Sequence, residues 1–541
     1  LRSRGLGDVY KRQILFIILL MLNTLTAFIY NIGNEIWQMI PIRLGAAFIN
    51  GVGVSLIMTL GIHYIRKFIH LNLAPFIIGL IWFIVVVESF LLFNFYTLIT
   101  PSCILVLFET NNQEASEFIT SYFDFPTLFT LAGILSISFL TFRFRYKIYS
   151  IRFPEWSHQK KFLIPFCIFT LIGYAALTYY ITQVRHMTSY QALTGVERIY
   201  HSLQSTVKDR REYQKYMKMV QHTSPVIIQN QSTVPYIVVI LGESLSKWHM
   251  SAYGYSLPTT PKLEKRIENG ETYRFDSIIA AKTITAEAIQ RIMTFFDDES
   301  SLPWYQYHTL PSVMKAAGYK TYWLSNQDSF NTGDDNSTAG IISTSSVIKF
   351  THQRHASEER YGYFDGDLLP LLDEQLQTFP SKAFICFHLM GSHRRYTNRY
   401  PTNFTRFKSN DIKKNISPDK KQTIAEYDNS VLYNDYVVDE IIQRFEKKNA
   451  VIICFPDHGE EVYDMRNMSG HGLTNPTPPM YKIPFTIWTS AIFKQNHPEL
   501  EMNIQASTQK SFNTAGLIHL ILNITGIKTT DYQQEKSLLQ H

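Results

Sequence analysis

Long apolar segments dominate the first third of the chain, and the remainder alternates shorter apolar runs with polar stretches. Each long segment is close to the ~20 residues that an α-helix needs to cross the hydrocarbon core of a bilayer. The pattern therefore predicts a transmembrane domain of five helices within residues 14–182. The predicted spans cover residues 14–30, 44–62, 73–95, 125–141 and 162–181.

Charged residues are distributed unequally between the loops of this domain. Arg66 and Lys67 lie between spans two and three, and six further basic residues lie between spans four and five. Loops rich in lysine and arginine stay in the cytoplasm. The loop between spans three and four instead carries four acidic residues. We therefore expect that loop, and the whole chain after span five, to lie on the other side of the membrane.

One acidic residue, Glu88, falls inside the third predicted span. A carboxylate within the bilayer is a candidate for a functional group. The alternative is a structural carboxylate that lies near the outer interface and pairs with a neighbouring group.

Two polar segments flank the transmembrane domain. Residues 1–13 are basic and begin with Leu1, and we interpret them as a truncated or artefactual start. Residues 183–234 are charged, with tyrosine and leucine at helical intervals, which predicts a helical linker at the membrane surface.

From residue 235 to residue 541, strand-like and helix-like segments alternate. This predicts an α/β domain in which helices flank a mostly parallel sheet. Three of its apolar runs end in residues of metal-binding type. The runs cover residues 236–242, 383–392 and 450–456, and they are followed by Glu243, by His393 and by the pair Asp457 and His458. Because the carboxyl ends of parallel strands meet at one edge of a sheet, these side chains are expected to converge there.

Carboxylate and imidazole donors in this combination suit a zinc-type ion. His471 lies on a loop shortly after His458 and is within reach of the same site. Thr283 and Thr285 precede an apolar helical stretch, and a metal ion beside either hydroxyl would make it a nucleophile. A threonine at that place is otherwise a helix cap, and the spacing alone does not separate these roles.

Composition narrows the class of protein further. The net charge of +6 over 541 residues, without an arginine-rich stripe, does not indicate a nucleic-acid binder. The four cysteines include no C-x-x-C pair, so neither a cysteine zinc site nor a disulfide framework is predicted. A contact between Cys386 and Cys454, in strands predicted to be neighbours, stays open.

Taken together, the motifs resemble those of the membrane-bound phosphoethanolamine transferases of Gram-negative bacteria, within the alkaline phosphatase and sulfatase superfamily. The resemblance covers nearly the whole chain and is strongest to the type that modifies the core heptose of lipopolysaccharide. Its motifs are Gly242-Glu-Ser, Lys282-Thr-Ile-Thr-Ala, Leu389-Met-Gly-Ser-His, Tyr427-Asp-Asn-Ser-Val-Leu-Tyr-Asn-Asp-Tyr and Asp457-His-Gly-Glu-Glu-Val-Tyr.

The resemblance implies a role for each matching residue. Glu243, Thr283, Asp457 and His458 match zinc ligands, and the threonine doubles as the nucleophile. His393 and His471 match histidines that bind the substrate phosphate or a second metal, so that one or two zinc ions are expected. Thr110 and Glu114, in the outward loop, match positions associated with the lipid and ethanolamine headgroup.

The implied reaction is a transfer of phosphoethanolamine from phosphatidylethanolamine to lipopolysaccharide, on a core heptose or on lipid A, through a phosphothreonine. The implied protein is a monomer in the bacterial inner membrane with its catalytic domain in the periplasm. Two departures matter. The relatives' Cys-Gly-Thr run is Ala281-Lys-Thr here, and some core-modifying relatives keep only a threonine aligned with Thr285. We favour Thr283 as the nucleophile because we expect it to lie nearer the metal.

Two alternatives share many of these features. One is a phosphoglycerol transferase of the same superfamily, and the other is a catalytically inactive, membrane-anchored binding or sensor protein. A sulfatase activity is disfavoured, because no Cys-x-Pro-x-Arg or Ser-x-Pro-x-Arg run is present to supply the modified nucleophile.

Overall fold

The computed structural model describes residues 2–32, 40–95, 97–110, 192–220, 223–327, 337–351, 364–378, 380–471 and 475–539, with a few isolated positions between 115 and 176. The chain separates into two compact units, Leu1–Lys208 and Asp209–His541.

The first unit is helical. Its helices are α1 (Arg2–Ile32), α2 (Ile40–Ile69), α3 (Ala74–Phe95) and α4 (Pro101–Glu109). A long helix, α5 (Gly195–Val220), begins in this unit, within the segment predicted as a linker.

Three of the described helices are long and apolar enough to cross a membrane, through Arg12–Asn31, Arg43–Ile69 and Ala74–Phe95. They correspond to the first three predicted spans. The predicted spans at 125–141 and 162–181 lie outside the described residues except for a few positions, so the described helices supply three spans rather than the expected five.

Glu88 lies on α3 and is fully buried, as is Arg198 on α5. The Arg198 guanidinium donates from Nε to Glu88 Oε1 and from Nη2 to Glu88 Oε2, each at 2.6 Å. The Thr26 hydroxyl on α1 also donates to Glu88. A charge buried in this way is tolerated when it is paired and hydrogen-bonded, so these contacts favour a structural role for Glu88.

The second unit contains the remaining strands and helices. The strands are β1 (Ile227–Asn230), β2 (Tyr236–Gly242), β3 (Thr272–Phe275), β4 (Ile278–Ile279), β5 (Lys320–Ser325), β6 (Val347–Phe350), β7 (Ala383–His388), β8 (Ala450–Pro456), β9 (Glu461–Val462), β10 (Ser469–Gly470), β11 (Phe485–Thr489), β12 (Phe512–Asn513) and β13 (Ile527–Thr529). The helices are α6 (Pro261–Glu268), α7 (Thr285–Ile292), α8 (Leu310–Ala316), α9 (Ser337–Ile342), α10 (Leu368–Leu376), α11 (Pro418–Phe445), α12 (Pro478–Tyr481), α13 (Ala491–Asn496), α14 (Pro498–Ala506) and α15 (Leu517–Thr525).

A seven-stranded sheet with the order β3-β11-β8-β2-β7-β5-β6 forms the centre of this unit. The strands from β8 to β6 are parallel, but β11 runs antiparallel to both β8 and β3. The sheet is therefore mixed, and the prediction of a mostly parallel sheet is wrong at this edge. All five residues of β11 are buried, and a continuous apolar run does not record the direction of its strand.

Both faces of the sheet are covered, as expected for an α/β domain. Along β2, Ile237, Val239 and Leu241 enter one hydrophobic core, while Val238 and Ile240 enter a second one. Successive side chains of a strand point to opposite faces, so this alternation places β2 between two packed layers.

The cysteines of the described ranges, Cys103, Cys386 and Cys454, are free. Cys386 lies on β7 and Cys454 on β8, and β2 separates the two strands. The open possibility of a contact between neighbouring strands is therefore not realised.

We predict that Arg198→Met lowers the free energy of unfolding by about 3–5 kcal/mol, because it leaves the Glu88 carboxylate buried and unpaired. Thermal unfolding of the full chain in detergent measures this loss. The double variant Glu88→Gln, Arg198→Met should recover part of it, since no unpaired charge remains. Arg66→Met, at an exposed arginine of α2, is the matched control and should behave as the wild type. An Arg198→Met protein as stable as the control would contradict the prediction.

Candidate active site

Two neighbouring parallel strands bring the predicted metal ligands together. Glu243 directly follows β2, and Asp457 and His458 directly follow β8. Gly242 is aligned with Pro456 across the ladder, and the amide of Asp457 donates to the Gly242 carbonyl oxygen at 3.0 Å. The carboxyl ends of the strands therefore meet as predicted.

Glu243, Asp457 and His458 form a compact, buried cluster in which the potential ligand atoms lie within 4.8 Å of one another. His458 Nε2 is 3.3 Å from Glu243 Oε1 and 3.4 Å from Asp457 Oδ2. Burial raises the pKa of Glu243, and the Asp457 carboxylate raises it further. Burial also raises the pKa of Asp457. A cation at this position would relieve both effects.

The donor atoms fit a zinc ion. Asp457 Oδ2 is buried and has no hydrogen-bond partner among the residues that the structure describes. His458 Nδ1 lies 2.9 Å from the Gly459 carbonyl oxygen, which only accepts, so Nδ1 carries the proton and Nε2 is free to act as a ligand. Burial lowers the pKa of His458, but Asp457 and Glu243 outweigh burial and raise it overall. Carboxylate oxygens and an imidazole nitrogen are both donor types that bind zinc in proteins.

The hydroxyl that lies on this cluster is that of Thr285. Its Oγ1 donates to Glu243 Oε2 at 3.2 Å and is 3.3 Å from His458 Nε2. Thr285 is the first residue of α7, and Thr283 lies two residues earlier in the preceding turn. The sequence favoured Thr283 as the hydroxyl nearer the metal, whereas these contacts favour Thr285 at the start of the helix.

A second group of potential ligands adjoins the first and consists of His458, Glu460 and His471. The short antiparallel pair β9 and β10 returns the chain so that His471 Nδ1 lies 2.9 Å from Glu460 Oε2. The Tyr396 hydroxyl donates to the other oxygen of the fully buried Glu460 at 2.9 Å. The His471 side chain is 28% exposed, so that it can be reached from solvent.

Glu460 was not among the predicted site residues. It lies within the Asp457-His-Gly-Glu motif, but only its contact with His471 shows its role. The hydrogen bond and charge of His471 outweigh burial and lower the pKa of Glu460.

His393 lies on the loop after β7, the strand on the other side of β2. The backbone of this loop contacts the turn at Glu243, since the amide of Ser392 donates to the Glu243 carbonyl oxygen at 2.9 Å. Burial lowers the pKa of His393 to about 4, so its imidazole is neutral near pH 7. Its Nδ1 is buried without a hydrogen-bond partner in the described ranges.

The two predicted headgroup residues belong to the first unit. The Thr110 hydroxyl, just after α4, donates to the Val106 carbonyl oxygen at 2.7 Å. Glu114 lies outside the described residues.

The fold and the site define a sulfatase-type domain. The family model described as Sulfatase matches residues 235–527, and the chain belongs to this family. Phosphoethanolamine transferase EptC of Escherichia coli (strain K12) is 26% identical over 466 residues, which cover 81% of this chain and 77% of that protein. The resemblance to the phosphoethanolamine transferases inferred from the motifs is confirmed.

Two solved structures are also similar. The C-terminal periplasmic domain of EptC from Escherichia coli, in complex with Zn, has a TM-score of 0.54 and 27% identity over 59% of this chain and 90% of that chain. The integral membrane lipooligosaccharide phosphoethanolamine transferase A (EptA) from Neisseria meningitidis has a TM-score of 0.67 and 19% identity over 97% of each chain. The similarity to EptA shows that this chain shares the fold of an integral membrane protein over nearly its whole length.

We predict that Asp457→Asn weakens zinc binding at least about 100-fold, because even indirect partners of metal ligands typically change affinity 10–100-fold. Zinc bound to the purified full chain, measured by elemental analysis after dialysis, checks this. Asp373→Asn, which alters an exposed carboxylate paired with Arg444, is the control and should retain zinc. Equal zinc content in the two variants would exclude Asp457 as a ligand.

A buried charged histidine behind the site makes stability depend on pH. His249 Nδ1 lies 2.6 Å from Asp428 and Nε2 lies 3.2 Å from Asp464. Burial opposes charging of the ring, but the two carboxylates raise its pKa from 6.5 to about 10. The stabilisation is therefore fully present below about pH 6.5 and is lost as pH rises through about 10.

We predict that His249→Gln flattens the fall in thermal stability between pH 7 and pH 10, because it removes the group that loses its proton there. The unfolding temperature of the full chain, followed across this range, is the measurement. His497→Gln, at a partly exposed ring beside the Asn449 amide, is the control and should keep the wild-type slope. An unchanged slope in His249→Gln would show that another group titrates.

Proposed function

We propose that this protein is a zinc-dependent phosphoethanolamine transferase that uses Thr285 as its nucleophile. The observation that carries the proposal is the contact of the Thr285 hydroxyl with Glu243 and His458, within a buried cluster suited to zinc. The similarity to EptC of Escherichia coli over most of both chains supports the reaction class. The zinc complex of the EptC periplasmic domain supports the metal.

Bound zinc would supply positive charge that lowers the pKa of the Thr285 hydroxyl and stabilises negative charge on the phosphoryl group. Thr285 is only partly buried, so that a substrate phosphate can approach it. Glu243 and His458 hold its oxygen in one position, which reduces the entropic cost of reaching the reactive geometry.

In the first displacement, Thr285 loses its proton and Oγ1 forms a bond to the phosphorus of phosphatidylethanolamine. The bond from phosphorus to the diacylglycerol oxygen breaks, and that oxygen takes up a proton. Phosphoethanolamine is then esterified to Thr285. The neutral ring of His393 is suited to orient the phosphate by a hydrogen bond without adding charge.

In the second displacement, a lipopolysaccharide oxygen, on a core heptose or on a lipid A phosphate, attacks the phosphorus. The bond from phosphorus to Thr285 Oγ1 breaks, and the threonine is regenerated. His471 is suited to move the proton in both steps, because Glu460 holds Nδ1 and leaves Nε2 for the reacting oxygen.

The proposed place of this reaction is the periplasmic face of the bacterial inner membrane. The apolar helices of the first unit support a multi-pass membrane protein, which matches the lipid nature of the donor. We propose that the enzyme acts as a monomer, with Thr110 and Glu114 near the lipid headgroup.

An inactive binding or sensor protein is disfavoured because all three potential metal ligands are present and the Thr285 hydroxyl contacts two of them. A phosphoglycerol transferase is disfavoured by the similarity to EptC over 81% of this chain. No observation favours either alternative over a phosphoethanolamine transferase.

We predict that Thr285→Ala abolishes transfer, because no oxygen remains to form the covalent intermediate. Thr283→Ala, which removes a hydroxyl two residues earlier in the turn before α7, should retain transfer and is the matched control. Mass spectrometry of proteolytic peptides from protein incubated with phosphatidylethanolamine should find phosphoethanolamine on Thr285 in the wild type and in Thr283→Ala only.

Lipid A and core oligosaccharide from cells that produce each variant provide the second measurement. An added phosphoethanolamine should be present with the wild type and Thr283→Ala and absent with Thr285→Ala. Full transfer by Thr285→Ala would refute the assignment of the nucleophile, and a lack of transfer by all three proteins would refute the function.

A further inference from the structure

One motif of the sequence has no part in the proposed chemistry. The run from Tyr427 to Tyr436 lies in the middle of α11 and supplies none of the proposed ligands or proton carriers. Several of its polar side chains are nevertheless fully buried, including those of Tyr427, Asp428 and Ser430. Buried polar groups are kept where they hold specific partners, so the partners of this helix face indicate its role.

Tyr427 bridges the turn that follows the metal ligand Glu243. Its phenol oxygen accepts from the amide of Ser246 at 2.7 Å and donates to the Ser244 carbonyl oxygen at 2.8 Å. Burial raises the pKa of Tyr427, so the hydroxyl keeps the proton that it donates. One side chain therefore fixes two backbone groups of this turn.

The turn that Tyr427 holds is conformationally unfavourable. Ser244 has a φ of +55°, a left-handed conformation that a residue other than glycine rarely adopts. Its hydroxyl donates to Glu243 Oε1 at 2.7 Å, and its amide lies 3.4 Å from Asp457 Oδ1. Ser244 thus contacts both carboxylates of the cluster, and a relaxation of its backbone would move the groups that hold them.

Ser430, one turn further along α11, supports Glu243 from a second side through Ser392. Ser430 Oγ donates to Ser392 Oγ at 3.0 Å, and the amide of Ser392 donates to the Glu243 carbonyl oxygen. Gly391, which has a φ of +54°, approaches so closely that an added Cβ would lie 2.5 Å from the Glu243 carbonyl oxygen. The backbone of Glu243 is therefore enclosed between two loops that α11 supports.

Tyr427 is itself held firmly. Its ring packs edge-on against Tyr396 and His249, with centroids 4.9 and 5.0 Å away. His249 is bound to Asp428, the next residue of the helix. A ring fixed on two sides can position the turn in front of it.

We infer that Tyr427 is a positioning residue that holds the Glu243–Ser246 turn in the conformation required for metal binding. The inference rests on the proposed metal site at Glu243, Asp457 and His458. Groups that orient metal ligands without touching the metal typically change metal affinity 10–100-fold when they are removed.

The test is the zinc affinity of the full chain in detergent, measured with Zn²⁺ in competition with a chromophoric chelator. Tyr427→Phe removes only the hydroxyl and keeps the packed ring. Tyr433→Phe is the matched control, since Tyr433 lies on the same helix, is also buried and accepts from the amide of Gly366. We expect Tyr427→Phe to bind zinc about 10–100-fold more weakly, and Tyr433→Phe to bind it as the wild type does.

The unfolding temperature of each zinc-free protein separates positioning from general stability. A purely structural role would lower this temperature in both variants and leave both zinc affinities unchanged, and that result would overturn the inference. If Tyr427→Phe does not fold, Ser430→Ala replaces it, and it should weaken zinc binding in the same direction by a smaller factor. Wild-type affinity in Ser430→Ala would then overturn the inference.

The zinc affinities also distinguish a failure of the positioning role from a failure of the proposed metal site. A wild-type protein that binds no zinc would overturn both the metal site and the positioning role. Tight binding by the wild type and equally tight binding by Tyr427→Phe would overturn the positioning role alone. Loss of zinc affinity confined to Tyr427→Phe supports it, whichever acceptor the enzyme uses.

Discussion

The structure of the second unit depends on two carboxylates that are buried side by side. Glu243 and Asp457 end adjacent parallel strands, and both have raised pKa values because water is excluded around them. Like charges in such a place are unfavourable unless a cation lies between them. The surrounding groups are arranged accordingly, with His458 offering Nε2 and Thr285 directing its hydroxyl at the same point. The meeting of the two strand ends therefore creates a place where a cation would be favoured.

In the first unit a buried carboxylate is paired with a buried arginine. There Glu88 is neutralised by an arginine of the chain itself, through two hydrogen bonds in the arrangement that suits a guanidinium and a carboxylate. In the second unit the carboxylates of Glu243 and Asp457 have histidine, hydroxyl and backbone amide partners, and no arginine or lysine of the described residues pairs with them, which leaves their charge to an external cation. Because a buried carboxylate needs a positive partner, Glu88 with its arginine is structural, while Glu243 and Asp457 are candidates for binding a catalytic cation.

Sequence reasoning predicted that Glu243, Asp457 and His458 lie together, because strand ends and potential ligand types are both local signals. Glu243, Asp457 and His458 each directly follow a β-branched, apolar run, and parallel strands force such ends together. It favoured Thr283, whereas the contacts with Glu243 and His458 favour Thr285, because two residues at the start of a helix differ in direction and not in composition. It also missed the antiparallel direction of β11, which apolar residues do not encode. Glu460 and Tyr427 were visible within motifs, but their roles come from contacts with residues far away in the chain.

The close approach of Gly391 to Glu243 has a consequence for how this enzyme type can diversify. The loop that carries His393 cannot shift without disturbing the backbone of Glu243, a candidate metal ligand, since even a methyl group at Gly391 would collide with it. Further along the same segment, the side chains of Arg394, Arg395, Thr397 and Asn398 are at least partly exposed. We expect new acceptor preferences to arise more easily at these exposed positions, while Gly391 is constrained by its contact with the backbone of Glu243.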